Sequence, residues 1–279
     1  MNPTVLTLLL TSLSTSTMIV MMSHHWLLAW LALELNTLSI LPIIIKQHHP
    51  RATEAATKYF LMQAAAAALI LFASTMNVMQ TGQWNITNST STATTTAITI
   101  ALMLKLGLAP MHFWYPEVLQ GSTMMTALLI STWQKMAPLT LLYLTAQMLP
   151  TNLLTMMGAM SALLGGWAGM NQTQTRKIMA FSSIAHMGWL ITIISLNPNL
   201  TTLTFLTYVI MTSSLFISMD KNTTNSIASL GTVWTHSPTL LTTMMLTLMA
   251  LGGLPPLTGF MPKWLILKEL TTTGLLTLS

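Results

Sequence analysis

Apolar residues in this chain do not alternate with polar ones. They come in long runs separated by short polar breaks. About twenty consecutive apolar residues cross a ~30 Å hydrocarbon core as a helix. By that criterion the runs predict spans over residues 3–22, 25–45, 57–77, 93–113, 122–146, 150–170, 174–195, 199–219 and 238–268. The last is long and interrupted, and residues 271–279 begin a further helix. The first run, Pro3 to Met22, has neither a basic segment before it nor a small-residue cleavage pattern after it, so it is read as a span retained in the mature protein. No linker separates a second domain, and the Asn/Ser/Thr-rich stretch 85–97 is a loop running into a span. The expectation is an all-α, polytopic transmembrane helical bundle, one domain over 1–279 with approximate repeats 3–146 and 150–279.

Composition strengthens that picture. The chain is 52% hydrophobic and 5% charged, against about 25% charged in an average soluble domain. Lipid tolerates such a surface because hydrocarbon tails need no polar coat. The net charge of +5 does not suggest a nucleic-acid binder, since no basic run with interleaved aromatics exists. It does orient the spans. Alternating loops collect Lys46, Arg51, Lys58, Arg176, Lys177 and Lys221 on one side, whereas the loops near 23–25, 78–92, 147–149 and 196–198 hold no Lys or Arg. Basic residues favour the compartment from which insertion occurs, so the N-terminus lies on the basic side. Cysteine is absent, which removes disulfides, thiolate-bound zinc and ordinary iron–sulfur clusters from this chain. The sequons at Asn85 and Asn88 fall on the non-basic side, and such triplets arise often in a Thr-rich chain. Trp26, Trp84, Trp114, Trp234 and Trp264 lie near span ends, where interfacial anchoring accounts for them.

Four charges sit inside spans: Glu34, Lys105, Lys135 and Lys263. Each costs ~2.5–3.5 kcal/mol at the bilayer centre, roughly 10 kcal/mol together. No acid stands three or four residues from any of these lysines, so ion pairs within one helix do not offset the cost. Snorkelling suits Lys263 but not Lys105 or Lys135, which lie deeper in their runs. The alternative is a proton relay. Desolvation favours a neutral lysine and a nearby carboxylate a charged one, so moving the partner switches the charge. Glu34 with Lys105 is the natural switching pair. His186, one turn after Ser182, is read either as a relay member or as a packing residue, and His112 lies beyond a helix break. His24-His25 and His48-His49 bracket the second span. Adjacent residues on a helix point apart, so a shared metal is not expected there and interfacial placement is.

Two spans are interrupted by Gly and Pro: LMLKLGLAPMHFW, with Gly107 and Pro110, and LGGLPPLTGFMPKW, with Gly253, Pro255 and Pro256. They lie five spans apart, an odd offset that turns the second copy upside down. Paired broken helices in corresponding positions of two halves point to a transport site, though proline kinks alone would leave the same trace. Gly158, Ala162 and Gly166, with Gly165 and Gly169, form a small-residue stripe assigned to helix packing.

The stretches LALELNTLSILPI around Glu34, LKLGLAPMHFWYPEVLQG around Lys105, WQKMAP around Lys135 and GGLPPLTGFMPKW around Lys263 closely resemble one family. It is the subunit 2 type of antiporter-like membrane-arm subunit in vertebrate mitochondrial NADH:ubiquinone oxidoreductase, respiratory complex I. The resemblance covers essentially the whole chain, and the Met-Asn-Pro start looks organelle-encoded. It implies inverted five-helix repeats with broken helices, and a proton-translocating subunit of the NADH:ubiquinone reductase in the mitochondrial inner membrane, with the basic side as matrix. Glu34 would modulate Lys105, Lys135 would bridge half-channels, and Lys263 would end the relay. NADH, FMN, iron–sulfur clusters and ubiquinone would be bound by other subunits, with no cofactor on this chain. Its partners would be neighbouring antiporter-like membrane subunits and lipid. Family members continue for roughly two more helices, which would leave the second repeat incomplete here. A stand-alone cation/proton antiporter and a structural spacer are the competing readings.

Overall fold

A computed structural model describes residues 2–45, 49–88, 91–235 and 237–274. Lys46, His48, the Ser-Thr of the second sequon and the end of the segment 271–279 lie outside the described residues. The helices are α1 (Pro3–Met22), α2 (Trp26–Ile44), α3 (Pro50–Thr81), α4 (Thr92–Leu106), α5 (Trp114–Gly121), α6 (Met124–Ser131) and α7 (Trp133–Thr145). There follow α8 (Thr151–Met170), α9 (Thr175–Ile194), α10 (Pro198–Lys221), α11 (Ile227–Thr232), a short 3-10 turn, α12 (Pro238–Gly252) and α13 (Phe260–Thr272). Six of them, α1, α2, α3, α8, α9 and α10, are long and apolar enough to cross a membrane, and α4 and α12 are shorter apolar helices. The chain is a multi-pass membrane protein.

Local chemistry sets the helix ends. Proline opens α1, α3, α10 and α12, where its missing N–H costs nothing. Side-chain oxygens of Ser91, Thr123 and Asn197 cap α4, α6 and α10. Thr and Ser on lipid-facing positions return their hydroxyls to the carbonyl three residues back, as Thr7 does to Thr4 and Thr11 to Leu8. A helix rich in Thr is thereby tolerable in hydrocarbon.

The structure divides into two compact units, residues 1–122 with 133–154, and residues 123–132 with 155–279. In the first, α2 packs on α1, α3 and α7, and α3 also packs on α4 and α5. In the second, α10 packs on α6, α9, α12 and α13. Ile193, Ile266 and Leu270 form a small core there with Trp189, Leu196 and Leu200. The run 122–146, expected as one helix, is broken at Thr132, so α6 falls in the second unit and α7 in the first. No Gly or Pro marks that break. The segments α11 and the 3-10 turn, between the expected eighth and ninth spans, were also not foreseen.

The units share a backbone pattern. In the first, an antiparallel bridge centred on His25 and Asn85 pairs the α1–α2 and α3–α4 loops, with Trp26 N–H donating to Trp84 O and Ile86 N–H to His24 O. In the second, a bridge centred on Gln174 and Ser226 pairs the α8–α9 and α10–α11 loops through Thr175 N–H to Asn225 O and Ile227 N–H to Thr173 O. The bonding is the same in both.

The small-residue stripe is corrected in part. Gly158 and Gly165 face α9, where an added Cβ would lie 2.9 Å from Gly188 O and 2.7 Å from Ala185 N respectively. Gly169 approaches Phe181, but Gly166 faces open space. The tryptophan reading is also corrected. Trp26 and Trp114 are buried inside the first unit, whereas Trp234 and Trp264 are about half exposed, as anchors would be.

Candidate functional site

Both expected breaks are helix ends closed by a left-handed glycine. Gly107 (φ 72°) ends α4, with its N–H on Leu104 O and the Leu108 N–H on Met103 O. Gly253 (φ 86°) ends α12, with its N–H on Ala250 O and the Leu254 N–H on Met249 O. The pairing of two crossed bonds around a glycine is the usual device for terminating a helix. Pro110, joined to Ala109 by a cis peptide bond, lies in the turn after the first break, and Pro255 and Pro256 lie in the turn after the second.

The first unit holds three of the four intramembrane charges. Lys105, in the last turn of α4, and Lys135, in the first turn of α7, are both buried. Lys105 Nζ and Glu34 Oε2 find no hydrogen-bond partner among the described residues. Glu34, half-buried on α2, makes no direct ion pair with Lys105, so the expected switching pair is not in contact. Its charge nevertheless reaches both Lys105 and the hydroxyl of Tyr59. Lys135 Nζ stands 4.7 Å from the centre of the Tyr115 ring, a cation–π contact. Tyr115 follows the first break, and its Cβ would lie 3.2 Å from a Cβ placed on Gly107. His112, buried between the break and α5, stacks on Phe113 at 4.4 Å.

Uncharged polar side chains complete this unit and were not singled out from sequence. Gln134 donates from Nε2 to Asn36 Oδ1 at 3.2 Å, and the Tyr59 hydroxyl donates to Gln134 Oε1 at 3.5 Å. Gln63 Nε2 donates to the carbonyl of Lys105 at 3.3 Å. The available signal was position. Asn36 is two residues from Glu34, Gln134 precedes Lys135, and amides inside apolar runs carry the same cost argument as charges, at smaller size.

The second unit gathers the remaining candidates around one carbonyl. The break leaves the last carbonyls of α12 without intrahelical donors. Lys263 Nζ, on α13, donates to Leu251 O at 2.9 Å and to Gly252 O at 3.2 Å. His186 Nε2, on α9, lies 3.2 Å from the same Leu251 O. Lys263 is therefore bonded to the end of the broken helix. His186 also meets the Tyr208 ring at 5.5 Å, and the Tyr208 hydroxyl donates to Ser131 O beside the α6 break. A small cavity of about 10 Å³, lined by His186, Thr204, Thr207 and Lys263 among others, has room for about one water. Ser182 does not join His186, because its hydroxyl returns to Met179 O.

Comparison with known proteins accords with this geometry. The family described as NADH:quinone oxidoreductase/Mrp antiporter, transmembrane, matches residues 23–279. The chain is 56% identical over 275 residues to NADH-ubiquinone oxidoreductase chain 2 of Carassius auratus, covering 99% of this chain and 79% of that one. It is 56% identical over 271 residues to the chain of the same name from Gallus gallus, covering 97% and 78%. Among solved structures, a subunit of respiratory complex I from Thermus thermophilus superposes with a TM-score of 0.89 at 28% identity, over 97% of this chain and 64% of that subunit. A subunit of a Dietzia Mrp complex shares the fold at 16% identity, with a TM-score of 0.85 over 97% and 55% of the respective chains. The chain therefore belongs to the NADH:quinone oxidoreductase/Mrp antiporter transmembrane family, among the chain 2 subunits of NADH-ubiquinone oxidoreductase.

Proposed function

We propose that this chain is a proton-translocating membrane-arm subunit of respiratory complex I in the mitochondrial inner membrane. It couples NADH-to-ubiquinone electron transfer in other subunits to proton movement through Glu34, Lys105, Lys135, His186 and Lys263, with His112 beside the path. The chain binds no cofactor of its own, and NADH, FMN, iron–sulfur clusters and ubiquinone are the business of its partners. Those partners are other subunits of the complex, with antiporter-like membrane subunits and lipid as its neighbours.

The observation that carries the reading is the burial of Lys105 and Lys135 within the unit whose fourth span is broken at Gly107. A packing role would be served as well by two leucines and would avoid ~2.5–3.5 kcal/mol per charge. The cost is intelligible where the charge is to be gained and lost. Moving one charge against 100 mV takes ~2.3 kcal/mol, an amount that a modest change in carboxylate distance supplies at low dielectric. Glu34, in electrostatic reach of Lys105 but not bonded to it, is placed for such a change. Identity of about 56% to chain 2 subunits favours the complex I subunit over a stand-alone antiporter.

The test is redox-driven pumping by the assembled complex carrying Lys135→Met, reconstituted in liposomes, with assembly followed on native gels. The expected result is normal assembly with a sharp fall in pumping. Unchanged turnover and proton stoichiometry in a normally assembled complex would remove Lys135 from the relay and leave a structural spacer in its place.

A further inference from the structure

Helix α3 carries none of the charges assigned to the relay, yet it touches the segments that carry them. Tyr59 and Gln63 are four residues apart and so share one face of α3, and both are buried. From that face Tyr59 bonds Gln134, the residue before Lys135, and Gln134 in turn bonds Asn36, two residues from Glu34. Gln63 bonds the backbone carbonyl of Lys105 itself. That carbonyl is among the last four of α4, which have no acceptor role within the helix, so Gln63 fixes the end of α4 where the chain breaks. Tyr59 also meets the Trp114 ring edge-on at 5.8 Å, and Trp114 lies 3.3 Å from where a Cβ on Gly107 would stand. All of these residues belong to the first compact unit.

We propose that Tyr59 and Gln63 are positioning residues of the relay, which hold Glu34, Lys105 and Lys135 at the separations on which proton exchange depends. The two contacts are not equal. Gln63 satisfies an orphaned backbone carbonyl at 3.3 Å, whereas the Tyr59 bond is long at 3.5 Å. Electrostatic interaction falls with distance and is strongest where the dielectric is low. Small displacements of α2, α4 or α7 against α3 therefore change the balance between Glu34 and the two lysines. The titratable groups facing one another here are Glu34 on α2, Tyr59 on α3, Lys105 on α4, Tyr115 on α5 and Lys135 on α7. The inference rests on the relay reading above.

The experiment compares four assembled complexes in liposomes: wild type, Lys135→Met, Gln63→Met and Tyr59→Phe. Methionine keeps the length of glutamine without its donor, and phenylalanine keeps the packing against Trp114 without the hydroxyl. Proton pumping, its pH profile and its solvent deuterium isotope effect are read on each, with assembly checked on native gels. Gln63→Met is expected to slow pumping on the order of fivefold, the factor for one ordinary hydrogen bond, and Tyr59→Phe on the order of twofold. Both are expected to displace the pH profile and raise the isotope effect, which a loss of packing alone would not do. If Lys135→Met stops pumping while both α3 variants keep wild-type rates, profiles and isotope effects, the positioning role is overturned and the relay stands. If Lys135→Met has no effect, both fall together. Should Gln63→Met fail to assemble, Tyr59→Phe decides by the same readouts, and an unchanged profile there overturns the proposal.

Discussion

Three glycines around the second break should respond to alanine in three different ways. Gly252 is the last residue of α12, and a Cβ there meets nothing within 4 Å. Gly252→Ala should be neutral or slightly stabilising, because alanine reduces the freedom of the unfolded chain by about 0.4–1 kcal/mol. Gly253 has φ 86°, and its Cβ would lie 3.1 Å from the Lys263 side chain. Gly253→Ala therefore bears the left-handed penalty of roughly 1–2 kcal/mol and pushes on the lysine as well. Gly259 has an ordinary φ of −73°, yet its Cβ would stand 1.8 Å from Ala250 O and 2.7 Å from Ala250 C. The carbonyl would have to recede by about 1.5 Å or more to reach normal contact. Backbone at a helix end cannot do that without moving α13, which begins at Phe260 and carries Lys263 one turn later. Overpacking costs about 1–3 kcal/mol in a tight site, and here the displaced group is backbone, so the upper end applies. The bonds from Lys263 to Leu251 O and Gly252 O would be lost with it. The assay is heat-inactivation half-life and pumping of assembled complexes carrying each variant. The expected order of damage is Gly252, then Gly253, then Gly259, with pumping lost before assembly in the last. A Gly259→Ala complex with wild-type half-life and pumping would refute the geometry of the break.

Two further outcomes follow from the same kind of reading. Thr223, a β-branched residue at φ 50°, occupies the position after α10 that glycine usually takes. Thr223→Gly should stabilise by roughly 0.5–1 kcal/mol, the strain relieved less the added freedom of the unfolded chain, seen as a longer heat-inactivation half-life. On the α8–α9 contact, a Cβ on Gly188 would lie 2.3 Å from Ser161 Oγ and 2.6 Å from Ala162 N, whereas Gly166 has open space. Gly188→Ala should lower the amount of assembled complex on native gels and Gly166→Ala should not.

Much of the fold was legible because hydrocarbon leaves few choices. Each long apolar run had to be a helix, since only a helix satisfies its own backbone in lipid, and α1, α2, α8, α9 and α10 lie close to the expected bounds. The breaks at Gly107 and Gly253 were legible because glycine and proline are the residues that end helices without strain. The break at Thr132 was not, because none of its residues is a helix breaker; what distinguishes its two sides is tertiary, α6 packing on α9 and α10 and α7 on α1, α2 and α4. At the candidate site, the buried charges announced themselves by their cost, but their partners did not. Nothing local says that Gln63 reaches the Lys105 carbonyl, or that His186 and Lys263 converge on Leu251 O, because those contacts join residues 42, 65 and 12 positions apart. The interfacial reading of Trp26 and Trp114 failed for the same reason. Proximity to a helix end says where along the membrane a ring sits, not whether lipid or protein covers it.

The repeat shows what such internal duplication preserves. The two loop bridges use the same pair of backbone bonds around His25 with Asn85 and around Gln174 with Ser226, though of their six equivalent positions only Ile86 and Ile227 carry the same side chain. The two breaks use the same crossed bonds around Gly107 and Gly253, and there the glycine and the following leucine are shared. Backbone geometry is thus what the two units share, and side chains recur at only a few of its positions. The lysines lie outside that rule. Lys105 precedes its glycine on the first half-helix and finds no partner for its ammonium group among the described residues, whereas Lys263 follows its glycine on the second half-helix and is bound by two carbonyls. A lysine accompanying each break in the sequence would suggest equivalent roles. The bonding argues otherwise. The first break leaves its buried ammonium without an acceptor among the described residues, whereas the second supplies acceptors from its own broken backbone.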